Sequence, residues 1–448
     1  MYARWANKKE VIERLDAVNL KTGVLKSGTP ITYDDNFLYI DSHEAHNMII
    51  GSTGSGKTQA IILPMVKLSL MAGESLVIND PKGEIYKMCS KKFIEEGYNV
   101  IALNFDNAKY GDSWNPLRMP YELYINNDRD KSVKLLEDLG YYLFYENNEN
   151  VMDPFWNNSV IDYFTGLCLY LFEFAKKDEI NLLSVVNLNK WLEDVSNIKK
   201  FMSKIKDNNT IYSYVIGTLK APNETRGSIL SVFNQKIKKY TSRENLINML
   251  SGDSSDLSKI NKEKTALFII SGSIGYSNNL IPLLVTQIIE QISINGNDKN
   301  INILFDEFDS MVPIKDFYRI IEYCRSLRVK ITVTIKSYAH LCNMYSKKDA
   351  DILKMSFGNI IYLLSDDIYT LEEISKYCGM KNVDGNLEPL ITVEELKTLD
   401  IFEAIILVTR MMPMKVKLLP AYKIDWGYED VDNDIKERKN NKISIYNE

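Results

Sequence analysis

At 448 residues the chain is too long for one simple core, and it reads as two or three domains. Its 45% hydrophobic and 25% charged residues are ordinary for a globular protein, and a net charge of −6 excludes any global pull toward nucleic acid or anionic membrane, so a nucleic-acid surface must be local. The five cysteines form no C-x-x-C pair, only three histidines are present, and no apolar stretch reaches the ~20 residues of a membrane-spanning helix; this reads as a cytosolic chain with reduced core thiols and no zinc site.

In chain order, residues 8–18 have the spacing of a short amphipathic helix, and 23–40 hold two short extended runs. His46–Ile50 is a short apolar strand, and a helix is expected from Gln59 to Met71. Ser75–Asp80 is a second buried-type strand, 83–96 a helix, and Asn99–Asn104 a third strand. This alternation is the pattern of a parallel α/β sheet. The character changes after Pro120. Helix-length segments at 128–146, 155–176, 183–205, 209–220 and 225–240 predict an all-α domain inserted into the α/β domain. Alternation resumes at Thr265, with a helix near 278–294, the strand NILFDE, a helix near 314–327, the strand KITVTIK, and strands near 359–364 and 404–410. The expected division is 1–120 and 263–426 for the α/β domain, 121–262 for the insertion, and 427–448 for a loosely held polar tail.

Between the first strand and its helix stands Gly51-Ser52-Thr53-Gly54-Ser55-Gly56-Lys57-Thr58, a match to G-x-x-x-x-G-K-[ST]. Glycines let the backbone curl so that several N–H groups point at phosphate oxygens, and the helix opened by the loop turns its positive end toward the anion. Gly51 to Gln59 are therefore the candidate nucleotide-binding residues. Lys57 would neutralise the β- and γ-phosphates, and Thr58 would hold Mg²⁺, so the cofactors expected are ATP and Mg²⁺. Such a loop needs a carboxylate at the end of a neighbouring strand. The run Ile301–Phe305 places Asp306 there as the second metal residue, with Glu307 beside it as general base. Arg325 and Arg328 follow, at the end of the next helix. In ring ATPases such an arginine can reach a neighbour's γ-phosphate, which makes Arg325 a candidate catalytic residue.

Several further motifs accompany these: ARWANKKE at the start, Asp80-Pro81-Lys82-Gly83-Glu84, Asn115-Pro116-Leu117, Phe155-Trp156, Asn223-Glu224-Thr225-Arg226-Gly227-Ser228 and Cys324-Arg325-Ser326. With the P-loop and Leu304–Phe308, their combination resembles the type IV secretion coupling proteins, the TraG/TraD-like ATPases of conjugation. The resemblance extends from Ala3 to about Tyr422. It implies a RecA-like P-loop NTPase with a parallel-core sheet and an inserted all-α domain, similar to the FtsK/HerA translocases, working as a homo-hexamer at the inner face of the cell membrane. The implied partners are relaxase-bound single-stranded DNA and the channel proteins of type IV secretion. Family members usually begin with membrane-spanning helices and none stands in this sequence, which implies a truncated form or a separate small membrane-anchor protein. Lys336 stands where the family commonly has Gln, and is the sensor candidate; His340 likewise replaces a common Gln.

The helical region is divided in charge, −7 over 121–180 and +6 over 181–250. Lys236, Lys238, Lys239 and Arg243, close to Tyr240, are the DNA-binding candidates, since cations beside an aromatic suit the phosphates and bases of a single strand. The function expected is an ATP-driven coupling protein that delivers DNA to the secretion channel. The alternatives are an ATP-gated docking platform for relaxase and channel proteins without motor activity, or a related DNA pump.

Overall fold

In the computed structural model, which describes residues 2–34, 37–144, 154–272, 276–296, 299–440 and 442–448, the chain forms two compact units. The first comprises Met1–Ala102, Leu257–Ser273 and Gln291–Asp434.

This α/β unit opens with helix α1 (Lys8–Arg14) and strand β1 (Asp16–Asn19). The amphipathic helix read over 8–18 is thus cut short: the chain leaves helical geometry at Leu15, which has φ −100° and ψ 150°. Strands β2 (Thr29–Asp34) and β3 (Phe37–Asp41) join β1 in a small antiparallel sheet of order β1-β3-β2. Strand β4 (Asn47–Gly51) runs into the glycine loop, and helix α2 (Leu63–Ala72) leads to β5 (Ser75–Asn79). Helix α3 (Glu84–Glu95) and β6 (Asn99–Asn104) follow. After the helical segment come β7 (Thr265–Ile270), β8 (Ile301–Phe305), β9 (Val329–Ile335) and β10 (Asn359–Leu364). A two-stranded hairpin of β11 (Met380–Val383) and β12 (Asn386–Pro389) precedes β13 (Glu403–Val408) and β14 (Met414–Lys417).

The main sheet has the order β14-β13-β10-β4-β9-β8-β5-β7-β6. From β10 through β4, β9, β8 and β5 to β7 every pairing is parallel, whereas β10–β13 and β13–β14 are antiparallel. Every residue of β4, β5, β7 and β8 is buried, as expected of parallel strands covered on both faces; that is why these segments read as continuous apolar runs rather than as alternating ones. In this topology β4 and β8 flank β9, and β5 lies on the other side of β8. The loops after β4, β5, β8 and β9 therefore meet at one carboxyl edge, where ligands of such sheets bind.

The second unit, Leu103–Asp256, Ile274–Glu290 and Ile435–Glu448, is helical. Its helices are α4 (Arg118–Ile125), α5 (Arg129–Phe144), α6 (Pro154–Phe174), α7 (Leu182–Trp191), α8 (Val195–Lys204), α9 (Asn209–Leu219), α10 (Asn223–Thr241) and α11 (Glu244–Ser251), together with most of α12 (Leu280–Asn295). The helix expected over 183–205 is two: the Asp194 side chain accepts from the Ser196 N–H and starts a new helix there. Residues 145–146 of the helix expected over 128–146 lie outside the described residues. Buried aromatics fill this core, with Phe144 edge-on to Phe164 and Tyr163 edge-on to Phe233. The fold is that of a RecA-like P-loop NTPase with an all-α insertion.

The end of the chain is not loosely held. Asn181 Nδ2 donates to the Ser444 carbonyl at 2.8 Å, and the Tyr446 N–H donates to Ser184 Oγ at 3.0 Å. Tyr170 donates to the Glu448 carboxylate at 2.9 Å, and Lys204 pairs with the same carboxylate. A polar sequence looks loose when its backbone partners are side chains far away in the chain. Among the described residues no helix is long and apolar enough to cross a membrane.

Candidate functional site

The loop after β4 takes the shape its glycines permit. Gly54 and Gly56 have φ of +83° and +90°, a region L side chains rarely enter. A Cβ on Gly51 would lie 2.3 Å from Ser55 Oγ, and one on Gly56 would lie 2.6 Å from the Phe402 ring. The loop is tied to the sheet by the Ser52 N–H, which donates to the Leu364 carbonyl at 2.8 Å. It enters the helix expected from Gln59 through a π-helical turn over Thr58–Ile62.

Lys57 folds back over the loop, its Nζ donating to the carbonyls of Gly51 and, at 3.1 Å, Ser52. Burial lowers its pKa, opposed by the carboxylates of Asp306, Asp309 and Glu307. Thr58 Oγ1 donates to Asp306 Oδ2 at 3.0 Å, closing a gap of 248 positions in the sequence. Asp306 is 8% exposed, and burial raises its pKa against hydrogen bonds from Thr334 and Thr58 and the charge of Lys57. A hydroxyl and a carboxylate side by side are the hard oxygen donors that Mg²⁺ takes when phosphates and water complete its shell, so these residues fit that ion.

Glu307 has φ 55° and ψ 47°, a left-handed conformation uncommon for a residue with a side chain. Its N–H donates to Thr334 Oγ1 at 2.8 Å and to Asp306 Oδ1 at 3.1 Å, while Thr334 Oγ1 donates to Asp306 Oδ1 at 3.0 Å. One threonine of β9 thus clamps both the candidate metal carboxylate and the backbone of the candidate base. A cleft of about 190 Å³ brings Thr53, Gly54, Gly56, Lys57, Thr58 and Gln59 together with Lys82, Asp306, Glu307, Asp309 and Lys336. The Lys336 backbone N–H donates to Asp309 Oδ2 at 2.8 Å, so the sensor candidate is fixed at the cleft wall. Gly51 and Ser55 are buried beneath the loop.

Arg325 is elsewhere. It is exposed in the last turn of α13 (Phe317–Ser326), just before β9 begins, and lines a separate cavity of about 320 Å³ with Arg328 and Glu74. The nucleotide cleft is at the other end of β9, about 20 Å away at the usual rise per residue. Arg325 cannot serve the cleft of its own chain.

The DNA-binding candidates separate. Lys238 and Arg243 are exposed and Lys239 half-buried. Lys236 is 3% exposed, with Nζ donating to the Phe144 carbonyl at 2.7 Å and to Asn157 Oδ1 at 2.9 Å. Its charge is spent inside the helical core, which corrects its reading as a DNA contact. Tyr240 is fully buried too, so it offers no ring face for stacking.

Sequence reasoning gave no chemical role to Thr334, Lys82 or Asp309. A signal existed for Thr334: in KITVTIK the threonines break an otherwise apolar strand. Lys82 stood in a noted motif and Asp309 two residues past Glu307, but their placement depends on which strands are neighbours.

Residues 2–387 match the family model described as type IV secretory system conjugative DNA transfer. No match is found among curated proteins. Solved structures share the fold. The plasmid coupling protein TrwB in complex with the non-hydrolysable ATP analogue ADPNP has a TM-score of 0.70 at 14% identity, covering 98% of this chain and 97% of that one. TrwB in complex with ADP and Mg²⁺ has a TM-score of 0.65 at 14% identity, with coverages of 98% and 96%. VirB4 of Thermoanaerobacter pseudethanolicus has a TM-score of 0.56 at 11% identity, with coverages of 89% and 98%.

Proposed function

Since the chain belongs to the type IV secretory system conjugative DNA transfer family, we propose that it is the coupling ATPase of a conjugative element, hydrolysing ATP with Mg²⁺ to drive relaxase-bound single-stranded DNA toward the secretion channel. The observation that carries this is the contact of Thr58 with Asp306, which joins two motifs 248 positions apart in one cleft.

In this reading the backbone N–H groups of residues 52–58 and the opening of the following helix receive the phosphates. Lys57 turns from the loop carbonyls to the β- and γ-phosphates. Thr58 and Asp306 hold Mg²⁺, which when bound neutralises charge on those phosphates. Glu307 takes a proton from a water whose oxygen bonds to the γ-phosphorus, while the bond from that phosphorus to the bridging oxygen of ADP breaks. Lys336 contacts the γ-phosphate as a charge where a neutral amide is common. Arg325, remote from its own cleft, reaches the neighbour's nucleotide, so the working unit is a ring, a homo-hexamer by the family pattern. Lys238, Lys239 and Arg243 remain the DNA contacts on the helical unit. The complex acts at the inner face of the membrane through the channel proteins.

The test is transfer. Lys57→Ala and Glu307→Gln variants, expressed at wild-type level in a donor lacking its own copy, are expected to abolish conjugation. Wild-type transfer frequency in both would remove the motor reading.

A further inference from the structure

Glu307 can act as a base only if its carboxylate is aimed, and its backbone alone does not aim it. The left-handed backbone is clamped by Thr334 and Asp306. The side chain beyond it is 32% exposed, and among the described residues its ion pair is with Lys82: Lys82 Nζ lies 3.6 Å from Glu307 Oε1.

Lys82 comes from the loop after β5, the strand next to β8. That loop is rigid. The Gly83 N–H donates to the Asp80 carbonyl at 3.0 Å, closing a turn with Gly83 at φ +71°, and the Gly272 N–H donates to the Pro81 carbonyl at 3.1 Å. The buried Asp80 carboxylate accepts from the Tyr86 N–H at 2.8 Å and so anchors the loop to the start of α3. The chain therefore presents two fixed backbones on adjacent strands with one ion pair across the gap. Lys82 is 55% exposed, and a pair this exposed adds little to stability. A rigid mount for a contact of so little stabilising value points to orientation.

We propose that Lys82 is a positioning residue for hydrolysis, holding the Glu307 carboxylate toward the attacking water. The inference rests on the proposed ATPase and names the residue through which its base is aimed. A misdirected base loses near-attack geometry, so Lys82→Met lowers kcat by about 10- to 100-fold. Because Lys82 acts through Glu307 and not on the phosphates, KM for ATP and the affinity for a fluorescent ATP analogue stay within about twofold.

The experiment measures turnover and analogue binding for wild type, Lys82→Met, Lys82→Arg, Glu307→Gln and the Lys82→Met/Glu307→Gln double variant, with single-turnover kinetics for the slow ones. The expected result is a fall in kcat for Lys82→Met, recovery in Lys82→Arg, unchanged denaturation midpoints, and a double variant no slower than Glu307→Gln alone. Weakened analogue binding in Lys82→Met would make Lys82 a phosphate ligand and overturn the proposal. So would an additive double variant or an unchanged kcat. Full turnover in Glu307→Gln, or none in wild type, would instead sink the ATPase reading on which the inference stands.

Discussion

Thr334→Val removes one oxygen and keeps the shape of a buried residue of β9. The hydroxyl donates to Asp306 Oδ1 at 3.0 Å and accepts from the Glu307 N–H at 2.8 Å. The first of these bonds is to a carboxylate, a class worth about 1.5–3 kcal/mol net. The Glu307 N–H keeps Asp306 Oδ1 at 3.1 Å, so it is not orphaned and its loss adds little. Thr334 is also the largest counterweight to the burial that raises the Asp306 pKa, so its loss weakens Asp306 as an anion. With about 1.4 kcal/mol per factor of ten, the expected fall in kcat/KM is about 10- to 100-fold. The assay is steady-state ATP turnover, paired with denaturant unfolding and a Mg²⁺ titration. Thr334→Ser, which keeps the hydroxyl, should recover most of the activity. If Thr334→Val turned over ATP within about twofold of wild type with unchanged Mg²⁺ dependence, the clamp would have no catalytic consequence and the argument from geometry would fail.

Burial raises the Asp80 carboxyl to about 6, against about 3.9 in an unfolded chain. A raised folded pKa means that its contribution to stability is fully present below about pH 4 and is lost as pH rises through about 6. Asp80→Asn keeps an acceptor for the Tyr86 N–H without the charge, so its unfolding free energy should show less pH dependence over that window and exceed wild type at about pH 8 by about 1–3 kcal/mol. Arg325→Ala should leave nucleotide affinity unchanged, because Arg325 is remote from its own cleft, yet stop turnover if the proposed action between subunits holds. Mixed with Glu307→Gln subunits it should regain partial activity, and an absence of rescue at every mixing ratio would count against action between subunits. Lys236→Met removes the donor to the Phe144 carbonyl, a buried bond, and to the half-buried Asn157, at a cost of about 1–3 kcal/mol in unfolding free energy for the buried one. Its single-stranded DNA affinity should match wild type, whereas Lys238→Ala and Arg243→Ala should weaken binding and reduce its salt dependence.

Local sequence carried the nucleotide loop because its chemistry is contiguous: the glycines, lysine and threonine that cradle a phosphate must follow one another. It carried β4, β5, β7 and β8 because a parallel strand covered on both faces is a run of apolar residues. It failed where a residue's meaning depends on which way it faces. Lys236 and Tyr240 share a helix with Lys238, yet the first two turn into the core and the third into solvent. It failed again at 183–205, where a local cap at Asp194 outweighs continuous helical spacing. Thr334 and Lys82 belong to the site only because β9 and β5 flank β8, a fact of sheet order that composition cannot reveal. The end of the chain is polar in sequence and so looks solvated, yet Asn181, Ser184 and Tyr170 hold it.

In the proposed function one cleft converts ATP turnover into movement of DNA. The most direct measurement is ATP hydrolysis by the purified, assembled protein, with and without single-stranded DNA, for wild type, Lys57→Ala and Glu307→Gln. The expected result is turnover that single-stranded DNA stimulates in wild type, loss of nucleotide binding in Lys57→Ala, and retained binding without turnover in Glu307→Gln. Wild-type turnover that DNA does not alter, or that survives in Glu307→Gln, would contradict it.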